Sequence, residues 1–433
     1  NNLIVPPDEA FDNPVWGGPG WKEKLTPFYE KAKIMLGVTK SEVITHADKL
    51  LQECADDAGI GDTFHVNDVG VYFGKPGVKV SDPYFNGQGP DRTGCVLCGG
   101  CMVGCRHGAK NTLDMNYLFL AEKLGVDIIP ETRVVDVQPN DSENYILITK
   151  KVTGIVKRKN IYHAGGIFFS GGVMGTVKLL HRCKSKGSLP NISQQLGNFV
   201  RTNSEAIQGV LAKGKDVDYS EGIAITSGIY PDKNTHIETC RYGKGQGAMS
   251  LLATLLVDKH DYVPRPVLWL WKIIRHPLVF LRSMNPIGVS EKSTYVLVMQ
   301  TISNYMRFDY KRRWWRLGKR SMNSDCDTDQ KVPAYIPVAN EYTKRLAEKI
   351  DGDPAASITE IFLNTSTTAH IMGGCVMSDS PENGVIDHKG QIFGYKNLYV
   401  ADGSIVPANL GVNPSLTITA MAEYILDQVP EKI

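Results

Sequence analysis

The sequence predicts an α/β protein built from two lobes, and three observations predict it. A buried apolar strand, a glycine turn and a helix follow one another at 167–180. A second short apolar strand at 398–401 is stopped by polar residues, and a helix begins near residue 414. Apolar and polar residues alternate in several segments between 207 and 240, which predicts antiparallel strands. With 433 residues, the chain is long enough for two lobes with a sizeable core.

The composition is typical of a soluble globular protein, with 42% hydrophobic and 22% charged residues. A formal net charge of +2 gives no electrostatic reason to expect a nucleic-acid partner. The basic and aromatic cluster at 311–316 is more typical of a solvated turn than of a nucleic-acid interface. Nine cysteines, an odd number with four clustered, favour a reducing compartment. We therefore expect a cytoplasmic protein that binds no nucleic acid.

The N-terminal quarter of the chain is punctuated by proline and glycine around two predicted helices. Apolar residues recur at helical spacing through 20–36, and Gly37 ends that pattern. A second helix is predicted at about 44–58, and short strands follow it. Further along, a helix before residue 125 leads into a predicted strand at 126–130.

The segment that ends at Cys375 places one histidine, His370, before a Gly-Gly turn where backbone can approach a flat ligand. Downstream, Asn413 is a favourable N-cap residue and Pro414 suits the first position of a helix. A helix that starts there directs free N–H groups and a positive dipole end into a crevice, which suits an anion or an electron-rich ring. An ordinary capped terminal helix explains this pattern equally well.

Four cysteines, Cys95, Cys98, Cys101 and Cys105, form the strongest local pattern in the chain. Their C-x-x-C-x-x-C-x-x-x-C spacing equals the bacterial ferredoxin run that holds a [4Fe–4S] cluster. Arg106 replaces the usual proline, and a second run is absent from the sequence. Structural zinc fits less well, because its cysteine pairs are usually separated by a longer loop. Buried small thiols in a glycine-rich turn are the third interpretation.

Residues 167–180 also resemble a dinucleotide fingerprint when taken alone. No ribose-binding acid follows at the expected distance, so we do not assign the primary dinucleotide site to this segment.

The C-terminal pattern resembles the signature of the glucose–methanol–choline (GMC) family of flavin oxidoreductases, especially its cholesterol-oxidase-like branch. The chain departs from the family pattern at Ile371, where a proline usually follows the histidine. The matching residues are His370, Gly373-Gly374-Cys375, Gly384-Val385-Ile386-Asp387, Phe393-Gly394-Tyr395, Leu398-Tyr399-Val400, Asp402-Gly403-Ser404 and Gly411-Val412-Asn413-Pro414-Ser415-Leu416-Thr417-Ile418-Thr419-Ala420.

The resemblance implies an FAD/NAD(P)-binding Rossmann-like domain interleaved with a GMC-type substrate domain on an antiparallel sheet. It also implies that the FAD domain is N-terminally incomplete here, so we expect a longer gene product and no FAD binding by this chain alone. The implied ranges are 1–90 for substrate-lobe and covering segments, 91–205 for part of the FAD domain with the cysteine-rich insert, 206–345 for the substrate-binding domain and 346–433 for the C-terminal part of the FAD domain.

The resemblance also implies roles for individual residues. His370 positions the substrate hydroxyl and helps to remove its proton, and Asn413 holds the alcohol or the edge of the flavin. Glu291 is the candidate for the proton shuttle in double-bond isomerisation. Asn203 and Glu205 are interpreted as backbone-capping residues at a domain crossover. The implied cofactor-binding residues are Val134, Gly171, Gly172, Gly175, Thr176, Asp402, Gly403, Asn413 and Pro414.

The predicted reaction is FAD-dependent oxidation of an alcohol, most of all the 3β-hydroxyl of a sterol or a similar bulky lipid. Oxygen or an electron-carrier protein accepts the electrons, and an iron–sulfur cluster favours the carrier. An iron–sulfur–flavin dehydrogenase and a flavin-free binding or electron-relay protein are the alternatives. The apolar segment 263–281 is interrupted by charges and cannot cross a bilayer. A core helix is its commoner outcome, and contact with a membrane surface or a lid over a lipid substrate is the other.

Overall fold

A computed structural model describes residues 2–141, 144–155, 157–214 and 217–429. Within these residues the helices are α1 Asp8–Phe11, α2 Trp21–Met35, α3 His46–Asp57, α4 Tyr117–Lys123, α5 Gly172–Lys186, α6 Arg265–Arg275, α7 Pro277–Ser283, α8 Val289–Lys292, α9 Pro337–Ile350, α10 Ile358–Phe362 and α11 Ser415–Asp427.

The strands of the same residues are β1 Thr39–Lys40, β2 His65–Val66, β3 Asp68–Val69, β4 Lys79–Val80, β5 Arg92–Thr93, β6 Thr132–Asp141, β7 Asn144–Lys151, β8 Lys159–Ala164, β9 Ile167–Phe169, β10 Ala206–Ala212, β11 Ile225–Asp232, β12 Thr235–Cys240, β13 Ala253–Leu255, β14 Ser293–Gln300, β15 Arg307–Arg312, β16 Arg320–Asp325, β17 Gly352–Ser357 and β18 Leu398–Val400.

A seven-stranded sheet with antiparallel neighbours forms one lobe, in the order β13-β17-β10-β14-β12-β11-β2. The predicted antiparallel sheet is confirmed, and it extends beyond 206–345 because β2 forms one edge and β17 lies between β13 and β10. Apolar side chains of α3 and α9, such as Leu51 and Leu346, pack on Val210 and Val298 of the sheet in one buried cluster. These two helices cover one face of the sheet.

The second lobe contains the parallel pair of β9 and β18, in which Phe169 lies opposite Val400. Because the carboxyl ends of parallel strands meet at one edge, the glycine turn after β9 reaches the segment after β18. Thr176 on α5 donates a hydrogen bond to Asp402 and ties these two segments together. A large apolar core beneath them includes Leu180 of α5 and Leu416 of α11.

Both predicted N-terminal helices are confirmed by α2 and α3, and α3 begins with a capping box between Thr45 and Asp48. The predicted strand at 126–130 is wrong. No strand pairs with that segment in the described chain, and Val126, Ile128 and Ile129 are exposed. Its apolar residues therefore have no core to enter, which sequence alternation alone does not show.

The helix α6 is not a core helix, because Arg265 is its only fully buried residue. Leu268 and Trp269 pack partly against a small cluster, and the opposite side of the helix is open to solvent. Among the described residues, no helix combines the length and the apolar character that crossing a bilayer requires.

Candidate active site

His370 and Asn413 lie side by side in the structure, although they are 43 positions apart in the chain. The Asn413 amide is 3.4 Å from His370 Nε2. The segment of His370 is held by paired backbone hydrogen bonds between Met372 and Arg201. The structure thus brings together the two residues that the sequence assigns to catalysis.

Asn203 holds the loop that precedes Asn413. Its Oδ1 accepts hydrogen bonds from the amides of Leu410 and Gly411 at 3.0 and 2.9 Å, and its Nδ2 donates to Val412 O at 2.9 Å. Asn203 is fully buried and has a left-handed backbone with φ 61°. These contacts agree with its interpretation as a backbone-capping residue and fix the approach of Asn413 to the site.

Glu205 does more than cap the backbone. Its Oε2 lies 3.0 Å from His370 Nδ1, and the same carboxylate accepts hydrogen bonds from Thr368 Oγ1 and the Ala369 amide. Burial acts to lower the pKa of His370, but the Glu205 carboxylate, with help from Glu238, raises that pKa above its ordinary value. The pair therefore favours an imidazolium whose Nε2–H points towards Asn413.

Glu238 lies on the other side of Asn413 and was not singled out from the sequence. With its nitrogen turned towards Glu238, the Asn413 amide lies 3.0 and 3.1 Å from the two carboxyl oxygens. We assign this orientation because it alone gives the amide nitrogen an acceptor. Asn2 and Asn67 also donate to Glu238 Oε1. Burial raises the pKa of Glu238 to about 7 despite these donors.

The available sequence signal for Glu238 was its position in a strand. All six residues of β12 are buried, and a glutamate in such a strand is costly unless it is paired or functional. The alternation pattern assigned the strand but gave no reason to examine its acid.

Asn413 is not the N-cap of the last helix. The helix α11 begins at Ser415, Pro414 occupies the N-cap position, and no side chain caps it. The Asn413 amide instead lies between His370 and Glu238. The predicted N-cap was wrong because the Asn413 side chain contacts His370 and Glu238 instead of the first turn of α11.

Glu291 is not brought to this cluster by any contact of the described residues. It lies on α8, where Ser290 Oγ donates to its carboxylate at 2.9 Å. Its own carbonyl accepts from the amide of Tyr219. The two carboxyl groups beside the histidine and asparagine are those of Glu205 and Glu238.

The glycine pair after His370 packs against protein backbone. Gly373 has φ 75°, and a Cβ there would lie 2.1 Å from Phe199 O. The pair thus allows the histidine segment to pack on the segment at 199–201, which carries Arg201. The close approach predicted for these glycines is real, but its partner is the chain itself.

An apolar cavity of about 730 Å³, counted with its open mouth, lies on the sheet face opposite α3 and α9. Thr367, three residues before His370 in the chain, is one of the residues that line the cavity. The side chains that define its walls include Ile207, Leu211, Tyr242, Met249, Leu252, Val289 and Tyr295.

Four of the predicted cofactor residues, Val134, Gly171, Gly175 and Thr176, line one open cleft between β6 and α5. A Cβ at Gly175 would meet no atom within 4 Å, so the cleft has room for a ligand at the start of α5. Three basic side chains on its walls suit a phosphate-bearing group such as FAD. They are Arg133, Lys178 and Arg182.

Of the remaining predicted cofactor residues, Gly172, Asp402 and Gly403 lie close to this cleft, whereas Asn413 lies in the catalytic cluster and Pro414 at the start of α11. Gly172 begins α5, and Asp402 is tied to Thr176 across the strand ends. Asp402 Oδ1 also accepts hydrogen bonds from the amide and hydroxyl of Ser404. Both carboxyl oxygens of Asp402 are therefore engaged within the protein. Gly403 packs against Ile418 of α11.

The four clustered cysteines line a single small cavity together with His107 and Lys110. Cys98 is exposed, whereas Cys95 and Cys101 are buried. In the part of the chain that the structure describes, no group of three or more histidine, cysteine or acidic residues is arranged to hold a metal ion. The predicted iron–sulfur cluster has no support from this arrangement, which fits buried thiols in a glycine-rich turn.

Comparison with known proteins gives the family. A model described as GMC oxidoreductase matches residues 298–422. The chain is 45% identical to a cholesterol oxidase from Acinetobacter baumannii. The alignment covers all of this chain and 79% of that protein. The chain is 42% identical, again over its whole length, to 76% of a cholesterol oxidase from Mycobacterium tuberculosis.

Among solved structures, a formate oxidase from Aspergillus oryzae shares the fold with a TM-score of 0.59 at 14% identity, covering 99% of this chain and 81% of that one. An FAD-dependent oxidoreductase from Chaetomium thermophilum gives 0.57 at 12% identity, covering 99% and 83%. The fold, the His370–Asn413 pair and the relatives that match the whole chain all indicate the same family. The chain belongs to the GMC oxidoreductases, a family of FAD-dependent enzymes.

Proposed function

We propose that the protein oxidises the 3β-hydroxyl of a sterol, or of a similarly bulky lipid alcohol, with FAD as cofactor and oxygen as electron acceptor. The observation that carries this proposal is the cluster of His370, Asn413 and Glu238, in a protein that also has an apolar cavity on its antiparallel sheet. The cholesterol oxidases that match the whole chain support the sterol class. When bound, FAD supplies the acceptor for the hydride that leaves the alcohol carbon.

The residues of the cluster divide the work on the hydroxyl group. Glu205 favours the cationic form of His370, whose Nε2–H can donate to the alcohol oxygen and stabilise its negative charge. Glu238, with a pKa of about 7, is ionised above neutral pH and can accept the hydroxyl proton. Asn413 lies between the two and orients the oxygen.

A shift of the sterol double bond after oxidation also needs a residue that moves a proton. We assign this role to Glu238 in place of Glu291, because Glu238 contacts the Asn413 amide whereas Glu291 contacts Ser290. A carboxyl that titrates near neutral pH can both accept and return a proton.

The reaction is tested by mixing the complete protein anaerobically with a 3β-hydroxysterol and following the flavin absorbance. Bleaching with the 3β-epimer but not the 3α-epimer is the expected result. A long-chain primary alcohol is the matched competitor, since a long-chain-alcohol oxidase from Arabidopsis thaliana is 21% identical over 78% of this chain. Faster bleaching with that alcohol would overturn the sterol assignment. Oxygen consumption on readmission of air tests the acceptor.

We also propose that the exposed face of α6 and α7 rests on an anionic membrane surface. Between Asp261 and Glu291 the sequence contains no acidic residue, and basic residues interrupt the apolar ones. Neighbouring residues such as Met249 and Leu252 are exposed and also line the cavity. An apolar face with basic neighbours binds anionic lipid surfaces. The large side chains at least half exposed on the two helices are Val267, Leu270, Trp271, Ile274, Leu278 and Leu281.

Sedimentation with vesicles tests the membrane contact. The wild-type protein should sediment with phosphatidylserine-containing vesicles, and the double variant Trp271→Glu/Ile274→Glu should stay in the supernatant. Leu124→Glu is the control, because Leu124 is 86% exposed and belongs to the C-cap of α4 instead of to α6 or α7. Equal sedimentation of the double variant and the wild type would contradict the proposal.

A further inference from the structure

A row of three residues crosses the edge of the seven-stranded sheet beside the catalytic cluster. Gly228 on β11 lies opposite His65 on β2 and opposite Glu238 on β12. His236 precedes Glu238 by two residues, so their side chains leave the same face of β12. The catalytic carboxyl and His236 therefore lie on β12, and His65 lies on β2, with Gly228 of β11 between the two strands.

The glycine in the middle of this row makes room for a histidine. A Cβ at Gly228 would lie 2.3 Å from His236 Nε2, far inside contact distance. Without that carbon, the imidazole of His236 reaches across β11, and its Nε2 lies 3.2 Å from His65 Nε2. The ring of Tyr230 stacks on both imidazoles at centroid distances of 4.5 and 5.1 Å and holds them in place.

The hydrogen bonds assign the tautomer of each ring. His65 Nδ1 lies 2.9 Å from Thr63 O, and a carbonyl only accepts, so Nδ1 carries the proton. Neutral His65 then has a lone pair at Nε2, and His236 must donate its Nε2–H to it. Burial lowers the pKa of both histidines, which agrees with neutral rings. His236 Nδ1 is left without a proton.

His236 Nδ1 faces the catalytic carboxyl. It lies 3.7 Å from Glu238 Oε1 and, among the described residues, has no hydrogen-bond partner. Buried imidazole nitrogens without a partner are rare and costly, so this one is available to a protonated Glu238. The amide oxygens of Asn2 and Asn67 beside Glu238 are also unpaired in the described chain. Rotation of either amide would let its oxygen accept a hydrogen bond from protonated Glu238, whereas its nitrogen donates to the carboxylate.

We propose that Glu238, His236 and His65 form a proton path from the catalytic cluster to the protein surface. The inference rests on the proposed function, since it removes the proton that alcohol oxidation releases. The O–H bond of Glu238 breaks as an N–H bond forms at His236 Nδ1. The Nε2–H bond of His236 breaks as an N–H bond forms at His65 Nε2. His65, which is only half-buried, then releases its Nδ1 proton to water.

Few other charges act on this path. Lys40 and Asp68 lie nearest to His65 and mark its exit. At the inner end, His370 acts on Glu238, and the buried thiol of Cys240 lies close to that carboxyl. Burial, and then His65, lower the pKa of His236, and the Glu238 carboxyl lies 3.7 Å from its Nδ1. The two imidazoles thus provide the continuous titratable route between the carboxyl and solvent in the described chain.

The path is tested at pH 8, where Glu238 does not retain the proton. The complete protein is mixed anaerobically with a 3β-hydroxysterol in the presence of a pH-indicator dye. In the wild type, proton release should coincide with flavin bleaching. In His65→Gln and Gly228→Ala, bleaching should continue, while proton release falls behind it by about tenfold or more. Tyr230→Phe keeps the stacked ring and should behave as the wild type.

Gly228→Ala is informative because it changes no titratable group and its Cβ would lie closest to His236 Nε2, at 2.3 Å, with Ile237 O next at 3.1 Å. Proton release that keeps pace with bleaching in both variants would overturn the path while leaving the proposed function intact. Absence of bleaching in the wild type would instead overturn the proposed function.

A second readout needs no turnover. ¹⁵N NMR of the resting protein at pH 7 should show His65 protonated at Nδ1 and His236 protonated at Nε2. The same tautomer for both rings, or a cationic ring at either position, would refute the path whether or not sterol is oxidised.

Discussion

The cysteine segment and the catalytic cluster are both partly buried, and burial acts on them with opposite consequences. Burial raises the pKa of Cys95 to about 11, so this thiol stays protonated at neutral pH. Burial also raises the pKa of Glu238, but only to about 7, so this carboxyl titrates in the working range of an enzyme. The same desolvation keeps the Cys95 thiol protonated but brings the Glu238 pKa to neutrality, because the ordinary pKa of a thiol lies above 7 and that of a carboxyl lies below 7.

The two regions also differ in how their groups are assembled. The four thiols come from eleven consecutive residues, and in the described chain they are not arranged to hold a metal ion. The cluster joins Glu205, Glu238, His370 and Asn413 from four separate segments, each touching another. Regular spacing brings groups near one another, whereas complementary donors, acceptors and charges make a site.

The largest effect is expected for Glu238→Gln. Without a carboxylate to accept the hydroxyl proton, flavin reduction by sterol at pH 8 should slow by about 10³-fold. Stopped-flow bleaching under anaerobic conditions measures it. Glu423→Gln is the matched control, since Glu423 is a buried acid bonded to Tyr117 and has no contact with the cluster. A slowing of less than about tenfold in Glu238→Gln would remove Glu238 from the reaction.

The same substitution should change the pH dependence of stability. Glu238 has a folded-state pKa of about 7 against an ordinary 4.5, so it stabilises the fold below pH 4.5 and loses that contribution as pH rises through 7. The loss amounts to about 3 kcal/mol. Relative to the wild type, Glu238→Gln should therefore gain about that much unfolding free energy between pH 4.5 and pH 8. Urea unfolding at both pH values measures it, and a constant difference would contradict the raised pKa.

A smaller effect, about 10²-fold on flavin reduction, is expected for Glu205→Gln. The pKa of His370 should fall because the carboxylate that raises it is gone. The alkaline limb of the pH–rate profile should then move to lower pH, since the imidazolium is lost earlier. Glu205→Asp should restore part of the rate. A rate loss without movement of the alkaline limb would show that Glu205 only supports the backbone of Ala369.

No effect on flavin reduction is expected for Cys98→Ser. The wild-type protein, purified anaerobically, should contain no stoichiometric iron or acid-labile sulfide. Iron at stoichiometric level, lost in the variant, would reverse the contrast between the two regions and restore the iron–sulfur prediction.

Local patterns predicted the elements of this fold well. Helices α2 and α3, the antiparallel sheet and the strand–turn–helix at β9 and α5 all follow from periodicity and glycine punctuation. The strand predicted at 126–130 is absent, and its apolar residues Val126, Ile128 and Ile129 face solvent. Whether a segment pairs as a strand depends on residues far away in the sequence, which a pattern read over a few neighbouring residues does not include.

The site residues that belong to a recognisable sequence motif could be predicted. Those that come one by one from other parts of the chain could not. His370 and Asn413 stand in the C-terminal pattern, and the structure places them together. Glu238 and His236 stand in a strand whose only local signal is apolar alternation. Their roles arise from the register of β2, β11 and β12 and from the missing side chain of Gly228.

The most direct test of the account is flavin reduction in His370→Ala within the complete protein. The variant is expected to keep its flavin, as shown by an unchanged visible spectrum, and to lose anaerobic bleaching by a 3β-hydroxysterol. Bleaching at the wild-type rate would contradict it, because the alcohol would then be oxidised without the group that lies between Glu205 and Asn413.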